Sequence, residues 1–196
     1  MKGILIAQKP RDCENIVSGE KTIIVCKKMP KLQTSFKGYI FCTKGKPFIQ
    51  KIRFGDIAIS HTQISKNLYN GKVIGEFICD KVERFEYQEK YLRGITSQTA
   101  IKYFFTKIKS TALSFDELEE YGKGKTLYGL HITDLKIYDK PKELSEFCRN
   151  GECDKCGWFE NGKCYKQSEQ STYNNHRIKR PPQSWCYVQE LEELEK

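Results

Sequence analysis

A lysine at the mouth of one strand-forming run and a glutamate inside another are the first side chains here that could do chemistry together. Lys21 stands in Ser18-Gly-Glu-Lys-Thr-Ile-Ile-Val-Cys-Lys-Lys28, and Glu76 in Gly71-Lys-Val-Ile-Gly-Glu-Phe-Ile-Cys-Asp80. Strand alternation places Glu76 on the face of Ile74 and Ile78, where a carboxylate must be paired or take a raised pKa. Lys21 is the expected partner, in a polar cleft. Cys26 shares a face with Thr22 and Ile24 and has Lys27 and Lys28 beside it, which would favour a thiolate. The competing expectation for Cys26 is a small buried apolar residue, as most free cysteines are.

The second group is Cys148, Cys153, Cys156 and Cys164, spaced C-x4-C-x2-C-x7-C. Cys153 and Cys156 have knuckle spacing, and Asn161-Gly162 predicts a tight hairpin that returns Cys164 to them. Four thiolates at about 2.3 Å close a tetrahedron around Zn2+, so the expected metal is structural; an iron–sulfur cluster takes the same ligands. So short a segment gains much of its folding free energy from the metal.

The chain carries 34 Lys plus Arg against 25 Asp plus Glu, a formal charge of +9 in 196 residues, which favours polyanionic partners. Candidate contacts to nucleic acid are Lys27, Lys28, Lys44, Lys46, Arg177, Lys179 and Arg180, with Tyr39 as a base platform. The alternative for the aromatics is the core, with the lysines as a solvated rim. Nine cysteines are an odd number, and the first residues are too short an apolar run for a signal peptide. With no apolar run near the roughly 20 residues that span a bilayer, the expectation is a cytoplasmic protein with reduced thiols and no membrane contact.

Gly19 and Lys21 match the start of the Gly-x-Lys-x-x-Glu/Thr-x-Arg signature, and the chain resembles the ASCH domain family of the PUA-like group at this point. Three further stretches are similar to a clostridial and phage branch of that family: Gly71–Asp80, Tyr128–Leu144 and Arg180–Val188. The resemblance implies an α+β fold, a PUA-like β-barrel with flanking helices, here with a small cysteine-rich, zinc-ribbon-like insertion. It divides the chain into a barrel (1–147), a four-cysteine module with a basic loop (148–180), and a return strand that completes the barrel before an acidic tail (181–196).

The resemblance also implies RNA or a nucleotide as ligand. Members of the family include amidohydrolases of acylated cytidine nucleosides and ribonucleases, whose catalytic lysine, threonine and glutamate fall on Lys21, Ile24 and Glu76. Isoleucine offers no nucleophilic oxygen, and the signature arginine is Cys26. The expectation is therefore binding without turnover, set against hydrolysis through Lys21 and Glu76, and against a phage or prophage factor that acts on a host protein.

The elements that must position these residues are legible in outline. Lys2–Ala7 reads as a buried strand, and Pro10 opens a helix with Cys13, Ile16 and Val17 inward. Strands are expected over Thr22–Lys27, Phe36–Cys42 and Ile57–His61, and a single long strand over Lys72–Phe85. A helical segment follows over Tyr87–Ile108, and Ser114 with Glu117 forms a capping box for a short helix ending at Gly122. The last strands are Thr126–His131 and Asp134–Tyr138, with Lys140-Pro141 ending the sheet pattern, and Trp185–Val188 returning to it. Tyr165–Arg180 reads as a mobile basic loop.

Overall fold

The computed structural model describes residues 2–45, 50–54, 57–61, 71–85, 106–149, 159–160, 163–164 and 177–190. The chain divides into two compact units: Met1–Cys13, Lys37–Glu76 and Lys136–Lys196 form unit 1, and Glu14–Phe36 and Phe77–Leu135 form unit 2. Among the described residues the strands make a six-stranded, a three-stranded and two two-stranded sheets, not a closed barrel. The class is α+β and rich in sheet.

Unit 1 is built on strands β1 (Lys2–Gln8) and β3 (Phe36–Cys42), which pair in parallel with Gly3 opposite Lys37 and Gln8 opposite Cys42. Parallel neighbours need a crossover, and the intervening chain holds helix α1 (Pro10–Val17) and strand β2 (Ile23–Cys26). On the other side of β1 lies β13 (Trp185–Glu190), antiparallel, with Gly3 opposite Val188. The strand expected to return from the C-terminal region thus lies against the N-terminal one. β13 in turn carries β10 (Phe147–Arg149), while β3 leads to β6 (Val73–Cys79) and β9 (Thr133–Lys142) at the far edge.

β9 runs through Lys140 and Pro141 instead of stopping before them. Proline lacks the N–H that an interior strand needs on both sides, but an edge strand has one side unpaired, so the ladder tolerates it there. The core of unit 1 gathers Leu5, Tyr39, Phe41, Val73, Phe147, Ile178 and Val188. Each such side chain contributes about 1.5–3 kcal/mol on burial. Strands β4 (Gln50–Phe54) and β5 (Ile57–His61) form an antiparallel pair, and β11 (Phe159–Glu160) pairs antiparallel with β12 (Lys163–Cys164); the expected turn at 161–162 lies outside the described residues.

α1 buries Cys13 and Ile16 but leaves Val17 47% exposed, because Val17 is the last helical residue and stands at the rim of the apolar stripe. Gly19 then takes φ +79°, the left-handed region that a residue with a Cβ enters at a cost. In unit 2, β2, β8 (Leu127–His131) and β7 (Val82–Phe85) form an antiparallel sheet, with Ile23 opposite His131 and Glu83 opposite Gly129. The expected single strand over 72–85 is thus two strands. The break falls at Asp80-Lys81, where the Cys79 thiol donates to the Lys81 carbonyl at 3.3 Å.

Residues 106–110 are helical, and 86–105 lie outside the described residues, so most of the expected helix over Tyr87–Ile108 does too. Helix α2 (Phe115–Gly122) begins as its sequence dictates: Glu117 N–H donates to Ser114 Oγ at 3.1 Å, and Ser114 N–H donates to Glu117 Oε2 at 2.7 Å. Ile108, Leu118 and Leu127 pack together, with Val25, Phe85 and Tyr121 against them. Gly129 is required at its place: a Cβ there would sit 2.5 Å from the Phe85 ring and 2.7 Å from Ile23 Cγ2. Among the described residues no helix is long and apolar enough to cross a membrane.

Candidate functional site

Glu76 is the acid around which unit 1 gathers its cations. It lies on β6, and the neighbouring strands β3 and β9 each send one donor to it. Tyr138 donates its hydroxyl to Glu76 Oε2 at 2.7 Å, and Lys37 Nζ donates to the same oxygen at 3.2 Å. Burial pushes the Glu76 carboxyl up, but the bonds from Tyr138 and Lys37 and the charges of Lys37 and Lys136 outweigh it, so the group is held below its usual range. Lys142 lies over the Tyr138 ring at 4.8 Å, and Lys37 is 5.7 Å from the Tyr39 ring centroid. The site therefore presents one ionised carboxylate among several ammonium groups on adjacent strands.

The cation on Glu76 is thus Lys37, from 39 residues away in the chain, where sequence pattern had nominated Lys21. Lys21 belongs to unit 2, is 4% exposed, and bonds through its own N–H to the Asn15 carbonyl at 2.8 Å. Further along the same stretch, Ile24 and Cys26 are both fully buried. The Cys26 thiol donates to the Lys28 carbonyl at 3.1 Å. Burial pushes it up to about 12, only partly opposed by that bond, so Cys26 stays protonated at neutral pH and is no nucleophile. Lys27 and Lys28 are exposed, with Lys27 Nζ over the Tyr121 ring at 4.5 Å.

Tyr39 is not a base platform. It is 1% exposed and packs edge-on against Phe147 with ring centroids 4.9 Å apart, so neither ring face is open to a base. Lys44 is exposed, and Lys46 lies outside the described residues. Arg177, Lys179 and Arg180 close the segment expected as a mobile loop, whose residues 165–176 lie outside the described ones. Its described end is anchored: Arg177 bridges to Cys148, Ile178 donates to the Phe147 carbonyl at 2.9 Å and is buried, and Lys179 and Arg180 are exposed.

Of the four module cysteines, Cys153 and Cys156 lie outside the described residues and Cys164 is placed only as backbone in β12. Cys148 is fully buried in β10 and disulfide-bonded. A sulfur in a disulfide is no thiolate ligand, so this form of Cys148 does not fit a metal, and only its reduced form could. Among the described residues no three His, Cys, Asp or Glu side chains converge as a metal set.

Sequence reasoning passed over Glu83. Its side chain is 5% exposed in unit 2, with Lys81 Nζ 2.6 Å from Oε1, Lys107 Nζ 2.6 Å from Oε2, and His131 Nε2 3.4 Å from Oε1. Burial works upward, but the close pairing with the Lys107 and Lys81 ammonium groups holds the carboxyl at about 2. The charge alternation of Lys81-Val-Glu-Arg is the only signal the sequence offers for it. Lys107, which comes from the helical segment 106–110, could not be matched to it by spacing.

No family model and no curated protein matches the chain. Among solved structures, the ASCH protein from Zymomonas mobilis is similar, with a TM-score of 0.49 and 14% identity, covering 94% of this chain and 86% of that one. A serine-to-alanine mutant of the same protein gives a TM-score of 0.49 at 13% identity, covering 94% and 87%. A tyrosine-to-phenylalanine mutant gives 0.45 at 14%, covering 89% and 94%. At these identities and scores the likeness assigns neither family nor activity.

Proposed function

We propose that this chain is an ASCH-type, PUA-like domain that binds RNA or a nucleotide without hydrolysing it. The observation that carries the reading is the concentration of ammonium groups, Lys37, Lys136 and Lys142, around Glu76 and Tyr138 on the strands of one sheet, in a chain of charge +9. Lysines fixed on strands meet phosphates with little ordering cost, and exposed Lys27, Lys28, Lys44, Lys179 and Arg180 extend the attraction.

Two features favour binding over turnover. The stretch that resembles the family's catalytic signature offers Ile24 and a protonated Cys26 where a nucleophile would stand. Glu76, held below the usual carboxylate range, is also a weak base at neutral pH. The test is a salt titration of RNA affinity alongside an assay of acylcytidine hydrolysis. Affinity is expected to fall linearly on a log–log plot, with no product formed; binding indifferent to salt, or hydrolysis abolished by Lys21→Ala, would overturn it.

The same reading places the protein in the cytoplasm, within a clostridial or phage branch of that family, and takes Cys148, Cys153, Cys156 and Cys164 as ligands of a structural zinc once Cys148 is reduced. Zinc and the disulfide exclude each other, since the metal needs four thiolates. Protein kept reduced throughout purification is expected to hold about one zinc per chain. Metal-free protein with four titratable thiols in this segment would refute the zinc.

A further inference from the structure

We propose that Glu76 reads a nucleobase: its Oε1 accepts a hydrogen bond from the exocyclic amine of an RNA base, while Lys37 and Lys136 hold the adjoining phosphate. The inference rests on the RNA-binding reading above and adds to it the part of the ligand that is recognised.

The geometry around the carboxylate is lopsided. Both of its donors, the Tyr138 hydroxyl at 2.7 Å and Lys37 Nζ at 3.2 Å, go to Oε2. Among the described residues Oε1 receives no hydrogen bond, and it is not among the polar atoms sealed from solvent. The Glu76 side chain is 19% exposed, so this open oxygen is the part that a ligand meets. Tyr138 and Lys37 fix the carboxyl plane from two different strands, which orients Oε1 before anything binds.

An ionised carboxylate can only accept. It therefore favours bases that present an amine on their Watson–Crick edge, namely adenine, cytosine and guanine, over uracil, whose N3–H lies between two carbonyl oxygens that a carboxylate repels. Single-stranded RNA exposes those edges. Lys136 is exposed and close enough for its charge to act on Glu76, and Lys37 is 23% exposed, so a phosphate next to the bound base meets two ammonium groups. Phosphate contacts supply affinity and the carboxylate supplies choice.

The experiment measures the affinity of the full chain for oligo(A), oligo(C) and oligo(U) of equal length by fluorescence anisotropy at one fixed salt concentration. Oligo(A) and oligo(C) are expected to bind roughly tenfold more tightly than oligo(U), the effect of one charge-assisted hydrogen bond. Glu76→Gln is expected to reduce that ratio to near one. Lys136→Met is expected to weaken all three alike and to lower the salt slope by about 1. Tyr138→Phe, which removes the donor that fixes the carboxyl, is expected to reduce the ratio as well and stands in if Glu76→Gln does not fold. Equal affinity for the three oligomers in the unsubstituted chain, or a preference that survives Glu76→Gln, overturns the inference while salt-dependent RNA binding would still uphold the broader reading. Failure of all three to bind overturns this inference and the RNA-binding reading on which it rests.

Discussion

Replacing Glu83 by glutamine removes one charge from a carboxyl that is 95% buried by its side-chain exposure of 5% and held at about 2 against an ordinary 4.5. At about 1.36 kcal/mol per pKa unit, that depression is a ceiling of about 3 kcal/mol of stability at neutral pH. Lys81, one of the two cations responsible, is 56% exposed and so partly screened, which brings the expected loss nearer 2 kcal/mol. The sign follows from the direction of the shift. A folded-state pKa below the unfolded one means the contribution is complete above about pH 4.5 and is lost as pH falls toward 2. Urea unfolding of the unsubstituted chain and of Glu83→Gln, each from pH 7 to pH 3, gives the measurement. At pH 7 the variant is expected to be weaker by about 2 kcal/mol, or roughly 4–8 °C in Tm for a chain this long, and the difference is expected to shrink as the pH falls. A gap between the two that stays constant over that range would refute the reasoning, since the effect would then come from packing and not from charge.

Three other outcomes follow from the same coordinates. Cys26 and Cys79, pushed up to about 12 and about 11 chiefly by burial, are expected to resist iodoacetamide at pH 8 in the folded protein and to react fully in urea; peptide mass spectrometry showing native modification of either would contradict their burial. Gly129→Ala is expected to cost about 1–3 kcal/mol, because the added methyl meets the Phe85 ring and Ile23 from both sides; unchanged thermal stability would mean that those neighbours give way freely. Ser114→Ala is expected to cost about 1 kcal/mol through loss of its bond to the Glu117 N–H, and Ser114→Thr to recover most of it, both read from denaturant midpoints.

Much of the local structure was legible. The capping box at Ser114 and Glu117 and the proline at the start of α1 fell where short-range chemistry puts them. The strand Phe36–Cys42 matched to the residue. The errors lie where the outcome depends on a distant neighbour. Pro141 reads as a terminator until its strand is known to be an edge, and the run 72–85 reads as one strand until β6 and β7 are found in different sheets. Val17 fits the helical period but falls at the helix end.

The sequence alone determined which residues had to turn, cap or alternate, that the chain is strongly basic, and that Glu76 would need a cation, because each of these depends on neighbours within a few positions or on composition. Which cation it took was a tertiary matter: Lys37 and Tyr138 stand 39 and 62 residues away and reach Glu76 only because their strands are its neighbours. The same holds for Tyr39, an aromatic on a basic strand that could equally have stacked a base, and which Phe147 encloses. Strand pairing is chosen by how faces bury together, and no local spacing encodes it.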